Sequence, residues 1–236
     1  NVKVLAATRH GRKLKRGALR GNRFVLVLRE VQGERERAEQ VLAAIAARGV
    51  PNYFGEQRFG REGGNLEQAR AMFAGRRVDR DKRGFLLSAA RSQIFNGVLA
   101  ARVERGTWDA PLDGEIWSLA GSRSWFGPEP YGDVLADRLT RGDIHPSGPL
   151  WGQGEPPSTG EAGALEREIA AAHEDLAQGV AAARMDQERR PLRLLPKDLR
   201  WRWLADGALE LSFELPAGAY ATVVAREVAA TSPLSS

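Results

Sequence analysis

The feature that most constrains this chain is where its strand patterns fall. Phe24-Val-Leu-Val-Leu28 is a continuous apolar run close to one end. At the other end Leu199-Arg-Trp-Arg-Trp-Leu204 and Ala208-Leu-Glu-Leu-Ser-Phe-Glu-Leu215 alternate strictly between large apolar and polar side chains. Period-two alternation marks half-buried strands, and Asp206-Gly207 between the two runs predicts a hairpin turn. A strand is predicted over Phe24–Val31, and its unbroken apolar run at 24–28 predicts cover on both faces. The intervening sequence is dominated by helical spacing. The pattern therefore predicts an α+β fold in which the two chain ends complete one sheet and a mostly helical module is inserted between them.

Between the ends, Glu34–Ala47 carries Ala38, Val41, Leu42, Ile45 and Ala46 at helical spacing, with Gly49 as a stop. Asn65 is placed to cap a helix through Phe73. Phe85–Arg105 is the longest helical stretch, with Leu86, Leu87, Ala90, Ile94, Phe95, Val98 and Leu99 on its apolar face. Glu115–Leu119 reads as a strand and Asp133–Leu139 as a short helix. Pro146–Gly160, rich in Pro, Gly and Ser, reads as irregular. Glu161–Arg184 reads as one Ala-rich helix, in which His173 faces solvent, and Pro191 and Pro196 bracket a turn. Val2–Ala6 is a further short strand and Ala221–Ala230 a last helix.

Charge is the second signal. Residues 9–24 hold seven Arg or Lys and no acid, punctuated by three glycines, and run straight into the apolar strand. The formal net charge is +5, a modest excess that gains meaning from this clustering. Such a loop either meets phosphates or is simply solvated, and charge alone does not choose. Asn22 adds an amide able to read a base edge, and Phe24 a face able to stack. Their ordinary readings are a turn residue and a core residue. The run Val50-Pro-Asn-Tyr-Phe-Gly-Glu-Gln-Arg-Phe-Gly60 is neither helix nor strand in pattern, and its aromatics either plug a core or form a binding shelf. Trp201 and Trp203, interleaved with Arg200 and Arg202, could stack on RNA, but one face of a sheet packed on the core is the stronger reading.

Several chemistries are disfavoured. The chain has no cysteine, so disulfides, thiolate metal sites and thiol nucleophiles are excluded. His10, His145 and His173 lack metal-ligand spacing, so no metal is expected. There is no Gly-x-Ser-x-Gly elbow and no P-loop. No apolar run reaches the roughly 18 residues of a membrane span. The chain starts at Asn1 without a Met or a signal-peptide pattern, which suits a cytoplasmic protein, and a truncated one.

Four motifs together resemble the TruD family of tRNA pseudouridine synthases, in order and over essentially the whole chain. Arg9-His10, Arg12-Lys-Leu14 and Gly17-Ala-Leu-Arg-Gly-Asn-Arg-Phe24 resemble its substrate loop. Val50–Gly60 is similar to its hallmark at the start of the inserted domain. Arg83-Gly-Phe-Leu-Leu-Ser-Ala-Ala-Arg-Ser-Gln-Ile-Phe-Asn96 is similar to the helix that follows. Leu215-Pro-Ala-Gly-Ala-Tyr-Ala-Thr222 resembles its final active-site turn. The resemblance implies a pseudouridine-synthase catalytic domain from 1–48 and 195–236, with the family-specific insertion at 49–194. It implies cofactor-free isomerisation of a flipped-out uridine, position 13 of tRNA in this family, with tRNA as partner. It also implies that Asn22 sits beside the uracil and the catalytic Asp, that Phe24 lines the pocket, and that Tyr220 takes the place of a Phe packing on the base. Arg9, Arg12, Lys13, Lys15, Arg16 and Arg20 would form the electrostatic wall. Tyr220 departs from the pattern by a hydroxyl that needs a partner. A larger departure is that no Gly-Gln-Lys-Asp-Lys-like nucleophile motif occurs. Arg80-Asp-Lys-Arg83 is not its equivalent, because it only leads into the long helix. The nucleophilic Asp is therefore expected upstream of Asn1, and this chain alone is expected to bind RNA poorly and to be inactive. The rival reading is a non-catalytic RNA-binding module.

Overall fold

A computed structural model describes Gly11 and residues 21–229 of the chain. In chain order the elements are β1 (Gly21–Leu28), α1 (Arg35–Arg48), β2 (Val50–Pro51), α2 (Gly64–Phe73), α3 (Arg80–Glu104), β3 (Trp117–Leu119), β4 (Trp125–Phe126) and α4 (Asp133–Thr140). They continue as β5 (Ile144–Leu150), α5 (Gly160–Ala172), α6 (Glu174–Ala182), β6 (Glu188–Pro191), β7 (Arg193–Leu194), β8 (Lys197–Trp203), β9 (Leu209–Pro216) and α7 (Ala221–Val228). The expected strand at Val2–Ala6 and the basic loop lie outside the described residues.

The two ends of the chain meet in one antiparallel sheet of order β1-β9-β8. Its register sets Asn22 opposite Leu215, Phe24 opposite Phe213 and Leu26 opposite Leu211. Because side chains alternate, these residues share one face with Trp201 and Trp203, which oppose Leu211 and Leu209. That face packs on Leu42 and Ile45 of α1 and on Val223 and Val224 of α7. The core reading of the two tryptophans holds. Trp203 also donates from Nε1 to Glu39 at 3.2 Å, and Arg35 lies 4.8 Å over its ring. The expectation that both faces of the 24–28 run are covered does not hold among the described residues. Val25 is 60% and Val27 37% exposed, because both helices lie on the opposite face.

The chain leaves this sheet through β2 and returns through β7, and the two pair with each other, Val50 with Leu194 and Pro51 with Arg193. Between them lies the module. Its helices α2, α3 and α6 bury Ala69, Leu86, Ile94, Leu176 and Val180 against one another. Beside them runs a second antiparallel sheet of order β4-β3-β5-β6, whose strand β5 enters the stretch that reads as irregular in composition. Three contacts explain why Pro146–Leu150 is nevertheless a strand. Ser147 donates from its amide to Ile116 at 3.1 Å, and the Pro146 carbonyl accepts from the Leu192 amide at 2.8 Å. A Cβ on Gly148 would come within 3.0 Å of the Phe95 ring, so the glycine is there because α3 packs directly on the strand.

Two further differences are local. Asn65 does not cap α2. The helix begins after left-handed Gly63, and Asn65 instead donates from Nδ2 to the Arg58 carbonyl at 3.1 Å. The single helix expected over 161–184 is two. His173 departs from helical geometry at φ −122°, ψ 41°, is partly buried, and starts α6 by accepting from the Leu176 and Ala177 amides.

Candidate functional site

The aromatic run after β2 is pinned from several sides. Asn52, 4% exposed, donates from Nδ2 to the Pro191 carbonyl at 2.8 Å and accepts on Oδ1 from Arg190 at 2.7 Å. Two residues on, the side-chain amide of Asn96 on α3 reads the Phe54 backbone like a strand partner. It accepts from the Phe54 amide at 2.9 Å and donates to the Phe54 carbonyl at 3.0 Å. The Phe54 ring is thereby fixed edge-on to Phe95, with centroids 5.4 Å apart, and edge-on to Tyr220 at 6.3 Å. Two guanidinium groups address the same ring, Arg190 at 4.0 Å and Arg58 at 5.3 Å. So the run is both plug and shelf: Phe54 is core, and its outer side carries cations and a tyrosine.

Tyr220 enters from the other end of the chain, on the turn between β9 and α7. Its hydroxyl accepts from Arg58 Nε at 3.2 Å and Nη2 at 3.0 Å. Arg58 completes its fork by donating to Ser88 Oγ on α3 at 3.0 Å. The hydroxyl that sets Tyr220 apart from a Phe thus has a partner in the hallmark run. The tight approach requires Gly55, where a Cβ would lie 3.3 Å from Tyr220 Cδ1. Arg190 also donates to the Gly218 carbonyl at 3.2 and 3.3 Å, closing the turn against β6. Burial pulls the Arg190 guanidinium down to about 10; nearby Tyr220 opposes the shift, and like-charged Arg58 adds to it. It stays cationic at neutral pH. Its Nε lacks a hydrogen-bond partner among the described residues. Burial, with Glu227 nearby, raises the Tyr53 hydroxyl above its ordinary value, so it stays uncharged at neutral pH.

Of the residues singled out from sequence, the structure brings Asn22 and Tyr220 to the same end of the first sheet. Asn22 opposes Leu215, and the chain turns at Pro216–Ala219 to present Tyr220. Asn22 is exposed there, on the face that leads into the core. Phe24 is one rung further in, tilted against Phe213 at 5.8 Å and packed on the core. Arg9, Arg12, Lys13, Lys15, Arg16 and Arg20 lie outside the described residues. Sequence reasoning missed Asn52, Arg58, Ser88, Asn96 and Arg190 as members of the site. The first two sit in the aromatic run that resembles the family hallmark, and Ser88 and Asn96 in the stretch that resembles the helix after it, but neither resemblance gave these residues a role; Arg190 carries no signal. No group of three or more His, Asp or Glu suited to a metal occurs among the described residues. Nor is any helix among them long and apolar enough to cross a membrane.

Aromatic edges, a half-buried tyrosine face and two clustered guanidinium groups suit a planar base carried on a phosphate chain. The class this defines is an α+β protein with a cluster of cations and aromatics where the segment between β2 and β7 meets the β1-β9-β8 sheet. Comparison with known proteins narrows it. The family model for tRNA pseudouridine synthase D (TruD) matches residues 1–69 and 66–228. The tRNA pseudouridine synthase D of Xanthomonas axonopodis pv. citri (strain 306) is 54% identical over 244 residues, covering 96% of this chain and 66% of that protein. That of Nitrosococcus oceani is 50% identical over 233 residues, covering 98% and 65%. A crystal structure from Methanosarcina mazei, described as a candidate tRNA pseudouridine synthase D, shares the fold with a TM-score of 0.61 at 20% identity. It covers 90% of this chain and 69% of that one. The chain belongs to the TruD family of tRNA pseudouridine synthases. It spans about two thirds of the length of the curated relatives it matches (66% and 65%).

Proposed function

We propose that this chain forms the uridine-facing and RNA-binding part of a tRNA pseudouridine synthase, acting in the cytoplasm on position 13 of tRNA without a cofactor. The observation that carries the reading is the Tyr220 ring, held between Phe54 and Arg58 at the same sheet end as Asn22. In this scheme residues 1–48 and 195–236 belong to the catalytic domain and 49–194 to the insertion, with the β2–β7 pair as the two crossings between them.

In the reaction a carboxylate attacks the uridine, the N1–C1′ glycosidic bond breaks, the uracil turns and joins C1′ through C5, the C5 hydrogen leaves as a proton to solvent, and the carboxylate's own bond to the nucleotide breaks to free it. Extruding the base from its stack costs about a few kcal/mol, which the Tyr220 face offsets by stacking. Asn22 orients the uracil and the carboxylate, which an Asp from a segment ahead of Asn1 supplies. Phe24 backs the pocket. Arg9, Arg12, Lys13, Lys15, Arg16 and Arg20 meet the phosphates, and Arg58 and Arg190 add positive charge at the pocket itself.

The test is release of tritium from a tRNA transcript labelled at uridine C5, using the polypeptide that carries this chain. Release of about one equivalent per tRNA without added cofactor is expected. Tight, salt-sensitive binding with no release over many binding lifetimes would instead identify a non-catalytic RNA-binding module.

A further inference from the structure

Phe85 stands 64% exposed in the second turn of α3. Lone surface aromatics are ordinary, but this one has an unusual setting. Arg80, Lys82 and Arg83 precede it on the helix, and Arg76 and Arg77 lie just before the helix, all exposed. Among the described residues none of these five cations makes an ion pair. Asp79 and Asp81 are the acids in that stretch, so the surface is positive. A hollow of about 270 Å³ opens into it, bordered by Gln68, Arg77, Val78 and Lys82.

Position matters more than exposure. Residues three apart on a helix are surface neighbours, so Phe85 lies between Lys82 on one side and Ser88 on the other. Ser88 is bonded to Arg58, and Arg58 to Tyr220. One helix face therefore runs from the basic hollow, past the exposed ring, to the candidate uridine site. An RNA strand entering that site from the hollow would pass Phe85.

We propose that Phe85 is a stacking platform for an unpaired RNA base neighbouring the target uridine, with Lys82 and Arg83 on the adjoining phosphates. This rests on the RNA-binding reading above and extends it to a second base. Stacking holds the flanking nucleotide outside the pocket while the target base enters, and it tolerates any base because every base has a π face.

The test is filter binding of a tRNA transcript by the polypeptide that carries this chain, at several salt concentrations, with circular dichroism to check folding. Phe85→Ala and Phe85→Leu should each weaken binding about tenfold, the usual scale of one lost stack, without changing the salt slope. Phe85→Trp should bind at least as well as the unsubstituted chain. Lys82→Ala and Arg83→Ala should each flatten the slope by up to about one unit. Wild-type affinity for Phe85→Ala, or for Phe85→Leu alone, overturns the stacking role and leaves the RNA reading standing. Absence of tRNA binding by the unsubstituted polypeptide that carries this chain overturns both.

Discussion

Replacing Tyr220 with Phe deletes one oxygen and leaves the ring. That oxygen accepts from Arg58 at 3.0 and 3.2 Å. Hydrogen bonds from a charged donor contribute about 1.5–3 kcal/mol where water is excluded. Here two donors share one acceptor and Arg58 is only half-buried. The guanidinium also keeps Ser88 at 3.0 Å and the Phe54 ring at 5.3 Å. The net cost of Tyr220→Phe should therefore be about 1–2 kcal/mol, read as a lower urea midpoint at unchanged slope. Because the stacking face survives, tRNA affinity should change by less than about threefold. Tyr220→Ala removes the face as well and should cost about tenfold in affinity on the scale of one lost base stack. If Tyr220→Phe and Tyr220→Ala weaken binding equally, the ring is not the binding element. If Tyr220→Phe is as stable as the parent, the Arg58 contact does not fix the tyrosine, and the account of the site is wrong at its base.

Two other perturbations test the frame that holds the site. Arg189, with a side chain 0% exposed, is paired with Glu166 at 2.7 Å and donates to Ser147 Oγ at 3.0 Å. Arg189→Met strands a buried carboxylate and should cost about 3–5 kcal/mol in chemical denaturation; a loss below about 1 kcal/mol would show that the pair does not hold β5 and β6 to α5. His145 is held neutral, its pKa lowered from 6.5 to about 4 by burial and then by Arg193. The unfolded chain takes up that proton first, so stability should be full above about pH 6.5 and fall towards pH 4, by up to about 3 kcal/mol. His145→Gln should flatten that part of the pH profile, and an unchanged slope would assign it to other groups.

How far the sequence carries depends on whether a signal is local. The alternating runs at 199–204 and 208–215 name their own strands and their shared core face, because period-two burial is a property of a few consecutive residues. The helices read over 34–47 and 85–105 follow from apolar spacing in the same way, although the second begins earlier, at Arg80, where no apolar spacing announces it. Of the second sheet, β3 falls within the strand read at Glu115–Leu119, but β5 was not legible: Pro146, Gly148 and Pro149 lower local strand propensity, and what makes them a strand is distant, the Ile116 and Leu192 backbone and the Phe95 ring. His173 looked helical because Ala170, Ala171 and Ala172 precede it; beyond the break α6 packs on α2, where Gly179 lies against the Phe73 ring. At the site, Tyr220 and Asn22 were legible through resemblance. Arg58, Ser88, Asn96 and Arg190 were not, since each acts through a contact with a residue at least 30 positions away.

The most direct test of the account is to map modification in a tRNA transcript treated with the polypeptide that carries this chain. Carbodiimide adduct formation on pseudouridine followed by reverse transcription reads the position. The account requires a single stop reporting position 13, weakened in parallel with binding by Tyr220→Ala. A transcript that is bound but shows no stop, or stops scattered over other uridines, would contradict it.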